Sequence, residues 1–257
     1  TDSVMQAYTG FMSVNRDVNG TPQRVNMLAI DFATGLYAFQ GASAALYRQV
    51  TRGVGAHIET SLLEASLVFQ EAAIIESALQ GSAVEPIGMP VGTFKTTDGY
   101  MSINARRQPQ FERFADLMGH PEWLSDERYS EPRARVANRQ TLLEMIRPIV
   151  AMRSTSEWST ALVAIDVLHA RVHDHGDLFE DEQVKAVNAV TWIDDDVLGR
   201  VPMANIPGQR APRTGDSLSR SPHVGEHSRE VLEELGYSAN DIASLEAAGV
   251  VESRNEA

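Results

Sequence analysis

Asp31 stands where an apolar stretch, residues 25–30, reads as a strand meeting the start of a helix. An aspartate there can cap free backbone N–H groups, and the positive end of the helix dipole favours its ionised form. An aspartate carboxylate is charged at neutral pH and equally suits a nucleophile or base. Spacing alone leaves both roles open. A second cluster comprises His169, His173, Asp174, His175 and Asp177, a set able to bind zinc and activate water. The bland alternative is a solvated polar loop. Asp194-Asp195-Asp196 reads as a solvated turn. Arg106 and Arg107 are placed either to meet an anionic ligand or to face water. Gly88 and Gly92 either let the backbone approach a ligand or loosen a linker. No phosphate-cradling glycine pattern and no G-x-S-x-G elbow is present, so nucleotide-loop and serine-hydrolase chemistry have no support.

These residues need elements to position them. The first thirty residues read as loops and turns, with Asn19-Gly20-Thr21-Pro22 the clearest turn, although residues 1–8 resemble the middle of an element. A helix is predicted over 32–48, with Leu36, Phe39, Ser43 and Leu46 on one face. Gly35, Ala38, Ala42 and Ala45 form a second stripe, small enough for close packing. Gly53 ends this helix. Residues 56–60 read as a short strand. Ser61 and Glu64 form a capping box that opens a helix running to Gly81. Strands at 93–96 and 100–104 flank Asp98-Gly99, a hairpin pair that tolerates positive φ. Helices follow at 108–118, 138–152 (with Pro148 expected to kink or restart it), 155–164 and 179–187. A strand at 189–193, a Pro/Gly-rich connection over 199–222 and helices at 227–235 and 239–247 complete an α/β outline.

Composition narrows the function. The 257 residues carry a formal charge of −13, which disfavours nucleic acid or an anionic membrane as partner. The absence of cysteine removes disulfides, thiol nucleophiles and thiolate metal sites. No apolar run has the length of a membrane helix, and no leader is evident, so a cytoplasmic protein is expected. The start at Thr1 is expected to reflect a missing N-terminal part.

Five segments, in order, carry a resemblance. Met5-Gln6-Ala7-Tyr8-Thr9-Gly10 is similar to a Q-A-x-S/T-G segment, and Ile30-Asp31-Phe32-Ala33-Thr34-Gly35 to an aspartate-bearing helix start. Thr51-Arg52-Gly53-Val54-Gly55, with Ser61-Leu62-Leu63-Glu64, is like a T-G-x-G and S-L-x-E block. Phe94-Lys95-Thr96-Thr97-Asp98-Gly99-Tyr100 resembles an F-x-T-x-D-G-Y hairpin, and Gly225-Glu226-His227-Ser228 opens a similar tail. Together they resemble the C-terminal two-thirds of a family III CoA-transferase, a family that includes α-methylacyl-CoA racemases.

The resemblance implies a large Rossmann-like domain plus a small α/β domain in an interlocked homodimer. Residues 1–80 would belong to the large domain, 81–92 to a linker, 93–192 to the small domain, 193–222 to a return linker and 223–257 to tail helices on the large domain. It implies that Asp31 attacks an acyl-CoA thioester and passes CoA to a carboxylic acid through mixed anhydrides and an aspartyl thioester. Helix-start N–H groups near Asp31 would stabilise developing oxyanions. Asp2, Leu62, Gly88 and Gly92 fall at positions that would contact substrate or CoA. Acyl-CoA and carboxylic acid are then the substrates, with no permanent cofactor and no metal, and a companion N-terminal chain is one of the partners the resemblance allows. The alternatives are a racemase and a non-catalytic subunit of the same fold. A racemase needs a histidine in a G-H-D segment upstream of the aspartate; the matching place here reads Thr1-Asp2. Gln108-Pro109-Gln110-Phe111 also replaces the racemase E-P-Q-F. Ile87-Gly88-Met89-Pro90-Val91-Gly92 replaces the tetraglycine loop of formyl- and oxalate-type transferases.

Overall fold

The computed structural model describes residues 1–17, 19–81, 86–216 and 220–253. Parts of the two expected linkers (82–85 and 217–219) and the end of the tail (254–257) lie outside the described residues. The chain is mixed α/β and forms two compact units, Thr1–Arg171 and Val172–Ala257.

The first unit opens with a helix, α1 (Asp2–Tyr8), and a 3-10 turn at Phe11–Ser13, where loops are expected from the sequence. Apolar periodicity could not reveal α1, because the residues it buries are the polar pair Asp2 and Gln6, spaced one turn apart. Helix α2 (Ala29–Arg52) begins three residues earlier than predicted and ends at Gly53, which takes a φ of 68° that an L side chain resists. The stretch 25–30 is not a strand, and neither is 56–60; among the described residues neither finds a partner strand. The helix expected from Ser61 to Gly81 is two: α3 (Leu62–Phe69), capped by Ser61, and α4 (Glu71–Gln80). The break falls at Gln70, whose side-chain amide folds back to the Ser66 hydroxyl at 3.0 Å and Thr9 Oγ1 at 3.3 Å. The small-residue stripe is not where close packing occurs. A Cβ at Gly35 would meet nothing within 4 Å, whereas one at Gly41 would lie 3.1 Å from Ile58.

Helix α2 buries only Ile30 and Ala33. Phe32, Leu36, Phe39, Leu46 and Val50 form one stripe along it, each at least 60% exposed.

Residues 89–167 hold a core of their own. A three-stranded antiparallel sheet, ordered β1 (Val91–Lys95), β2 (Tyr100–Asn104), β3 (Leu168–Arg171), packs with α5 (Gln108–Met118), α6 (Pro132–Ala137), α7 (Arg139–Val150) and α8 (Thr155–Ala164). Helix α5 sends Phe111, Phe114, Ala115 and Met118 inward, and α7 sends Leu142, Ile146 and Val150, the helical spacing that identifies a buried face. Pro148 does not restart α7, which runs through it to Val150; the proline removes one N–H bond to the preceding turn, and the helix ends two residues later. The hairpin at 96–99 forms without positive φ at Asp98 or Gly99. Asp98 instead reaches the start of α8, accepting from the Thr155 N–H at 2.8 Å and the Thr155 hydroxyl at 3.2 Å.

In the second unit, α9 (His175–Glu180) and α10 (Glu182–Ala186) replace one predicted helix, because Asp181 caps the second and interrupts the first. Strand β4 (Val190–Asp195) pairs with β5 (Gly199–Ala204), a strand the sequence reading assigns to the connection over 199–222. Pro202 masks it. In a two-stranded ribbon each strand keeps an open side, where a residue without an N–H is tolerated. The turn between them is fixed by Asp195, which accepts from the N–H groups of Val197 and Leu198. Helices α11 (Ser228–Glu234) and α12 (Ala239–Ala247) close the unit, the latter with a full capping box from Ser238 and Asp241.

Candidate active site at the start of helix α2

Asp31 is the third residue of α2, and the N-cap is Leu28, so Asp31 is not the cap. That task falls to Asp2. Its Oδ2 accepts from the N–H of Ile30 at 2.7 Å and of Asp31 at 3.1 Å. A buried carboxylate thus already occupies these two N–H groups of the helix start, which are not open to a developing oxyanion. Gln6 completes the clamp. Its amide donates to Asp2 Oδ1 at 2.5 Å and to the carbonyls of Val25 and Met27, and its Oε1 accepts from the Val25 N–H. One turn of α1 thereby fixes both the loop before α2 and its first residues.

The Asp31 side chain is exposed, and it has no hydrogen-bond or ion-pair partner among the described residues. It borders a cavity of about 410 Å³ lined also by Asp2, Gln6, Arg24, Val25, Asn26 and Leu28. Such a volume accommodates a small-molecule reactant. An uncommitted carboxylate on a rigid helix start beside a cavity is suited to attack an electrophilic carbonyl. A cavity of about 460 Å³ between α11 and α12 offers no comparable group, since its one carboxylate, Asp241, serves the Ser238 cap.

Asp2 is 4% exposed. Burial alone would push its pKa up, but the hydrogen bonds from Gln6, Asp31 and Ile30 prevail and hold it below the ordinary 3.8. A lowered folded pKa stabilises the protein above the unfolded value, and the benefit disappears as pH falls through the folded value. Asp2→Ala removes one acceptor of the Gln6 amide and leaves the Ile30 and Asp31 N–H groups unpaired, and it is expected to cost about 1–3 kcal/mol. Urea denaturation from pH 6 down to pH 3 should show the gap between wild type and variant closing in acid.

The remaining sequence candidates lie elsewhere. Leu62 is the half-buried first residue of α3. Gly88 is buried, and a Cβ there would come within 3.0 Å of Arg106 Cβ; one at Gly92 would lie 3.4 Å from the Phe94 ring. Neither glycine lines the Asp31 cavity. His169 sits in β3 with Nδ1 2.7 Å from the Val167 carbonyl and Nε2 3.1 Å from the Ser159 hydroxyl. Asp174 and Asp177 form the capping box of α9. Among the described residues no three His, Asp or Glu side chains converge on a metal position, and no helix is long and apolar enough to cross a membrane. Arg24 and Asn26 are the site residues the sequence reading does not single out, and Gln6 enters it only as part of the Q-A-x-S/T-G segment, with no role assigned. The i,i+4 spacing of Asp2 and Gln6 was a signal for their pairing.

The CoA-transferase family III model matches residues 1–228. Succinyl-CoA:glutarate CoA-transferase of Homo sapiens is 27% identical over 266 residues, covering 98% of this chain and 59% of its own length. Succinyl-CoA–D-citramalate CoA-transferase of Chloroflexus aurantiacus is 24% identical, covering 97% and 64%. A CAIB/BAIF family protein from Brucella suis superposes with a TM-score of 0.74 at 26% identity, over 91% of this chain and 62% of that one. Rv3272 from M. tuberculosis shares the fold, with a TM-score of 0.69 at 20% identity, over 82% and 57%. The chain thus spans about three-fifths of the length of the relatives it matches. Motif order, fold and the helix-borne aspartate converge, and the chain belongs to CoA-transferase family III.

Proposed function

We propose that this chain moves CoA between carboxylic acids, with Asp31 as the covalent nucleophile. The observation that carries the reading is an exposed, unpartnered Asp31 carboxylate, held by the buried Asp2–Gln6 clamp at the edge of a cavity. An Asp31 oxygen attacks the donor's thioester carbonyl, the C–S bond breaks, and CoA leaves as thiolate from a mixed anhydride. The thiolate then attacks the aspartyl carbonyl and expels the donor acid, leaving an aspartyl-CoA thioester. The acceptor carboxylate displaces CoA from that thioester, and the thiolate attacks the acceptor's carbonyl in the second anhydride, restoring Asp31. No water enters, and each step exchanges one activated acyl bond for another. CoA is a substrate, so no resident cofactor is required. The relatives named above act, by their names, on succinyl-CoA with glutarate or citramalate, which makes dicarboxylic acids the first acids to test. In the same reading Asp2, Leu62, Gly88 and Gly92 are positions where CoA or the acid approaches the chain.

Oxygen labelling tests the sequence of steps. An acceptor carrying 18O in both carboxylate oxygens should leave one on Asp31, and that oxygen should emerge in the donor acid released in a later turnover. Label confined to the acceptor and its thioester would contradict passage through Asp31.

The apolar stripe on α2 supports an assembled enzyme, because Phe32, Leu36, Phe39, Leu46 and Val50 line one helix face and are each at least 60% exposed, and an exposed apolar patch commonly marks an interaction surface. In this reading a second copy of the chain covers it. Light scattering coupled to size exclusion should give a dimer mass, and Phe39→Glu with Leu46→Glu should shift it to the monomer. A wild-type monomer that becomes a complex only with a companion chain would assign the stripe to that chain instead.

A further inference from the structure

The Asp31 cavity contains one feature that the chemistry of Asp31 does not use. Its charged side chains are Asp2, Asp31 and Arg24. Asp2 is consumed by the α2 cap and Gln6, and Asp31 is the nucleophile, which leaves Arg24 as the only side-chain cation among the described residues of the lining. Its Nη2 donates to Asn26 Oδ1 at 2.9 Å, and among the described residues it has no carboxylate partner. The Asn26 bond tethers one arm of the guanidinium and leaves most of its five N–H donors free.

We propose that Arg24, oriented by Asn26, is the subsite for the second carboxylate of a dicarboxylic acid substrate. This inference rests on the transferase reading. When one carboxylate of the acid attacks the aspartyl carbonyl, its other end must remain inside a cavity that already carries two aspartates. A second negative charge there is repelled unless a cation receives it, and a guanidinium receives a carboxylate through two parallel hydrogen bonds. A monocarboxylic acid of the same length gains nothing from Arg24. Selection between the two acids is therefore set at this residue, away from the reacting atoms. The same N–H fork also suits a phosphate of CoA, so the test separates the two anions.

Binding is measured by titration calorimetry on the full chain in its assembled state, with glutarate, pentanoate, acyl-CoA and acyl-pantetheine, which lacks the nucleotide phosphates. Wild type should bind glutarate more tightly than pentanoate. Arg24→Gln should weaken glutarate by about 10- to 100-fold and leave pentanoate unchanged, while Arg24→Lys retains part of the preference. Arg24 is exposed, so the melting temperature should not move, and a variant that does unfold is replaced by Asn26→Ala, which releases the tether and should erode the same preference. Equal affinity of wild type for the two acids, or equal weakening of both by Arg24→Gln, overturns the subsite. Weakened acyl-CoA binding with acyl-pantetheine and glutarate unaffected assigns Arg24 to phosphate and also overturns it. A retained glutarate preference in a wild-type protein that transfers no CoA leaves the subsite standing and removes the transferase reading.

Discussion

Asp31→Asn is expected to lower CoA transfer by at least about a thousandfold, as removal of a covalent nucleophile does in other enzymes. The substitution keeps the size and shape of the side chain and removes the charge that the proposed mechanism needs to attack the thioester. Because the Asp31 carboxylate is exposed and without a partner among the described residues, its loss should leave stability within about 0.5 kcal/mol of wild type. That pairing of outcomes discriminates. Were Asp31 a helix cap, Asn would substitute for it well, and neither activity nor stability would change much. Asp2→Asn gives the opposite profile: it exchanges a carboxylate receiving two backbone N–H groups for an amide that also faces the Gln6 amide, so stability falls first. Thermal melts and initial rates on the two variants side by side separate the nucleophile from its support.

The second large effect lies away from the site. Arg135→Met should destabilise the chain by about 3–5 kcal/mol. Arg135 is 0% exposed, and its Nε donates to the Met89 carbonyl while Nη1 donates to Gln108 Oε1 and the Tyr129 carbonyl. The guanidinium also lies 4.1 Å from the Phe111 ring centroid. Three segments are thus tied to α6. Burial holds the guanidinium pKa below its ordinary value, against a smaller opposing pull from Glu131 and Glu112, and the group's standing cost is visible in Nη2, which has no partner. Methionine fills the volume but leaves buried carbonyls unpaired. Arg135→Lys should recover only part of the loss, since a single ammonium cannot serve segments on opposite sides. The midpoint of urea unfolding measures both.

Elements that announce themselves locally were legible in the sequence. Ser61 and Ser154 cap their helices, Gly53 and Gly81 end theirs, and the apolar faces of α5 and α7 follow helical spacing. Asp31 was singled out as the candidate through the order of five motifs rather than through spacing. What could not be read depends on contacts distant in the chain. Helix α1 exists to bury Asp2 and Gln6 against residues 25–31, and a polar buried face has no hydrophobic signature. Strand β3 hid in a histidine-bearing stretch because its partner, β2, lies far upstream. Pro202 concealed β5 for a reason that holds in wide sheets and not in a ribbon. The apolar face of α2 (Leu36, Phe39, Leu46) follows helical spacing in the sequence, yet the described residues leave it uncovered.

The central claim is a covalent bond to Asp31, and trapping tests it most directly. The protein, together with any companion chain it requires, is turned over on an acyl-CoA and an acceptor acid, quenched with hydroxylamine, and mapped by peptide mass spectrometry. The account predicts a hydroxamate on the Asp31 peptide that needs acyl-CoA to form and is absent in Asp31→Asn. Transfer that proceeds with Asp31 unmodified, or deuterium entering the carbon next to the thioester carbonyl while no adduct forms, would contradict it.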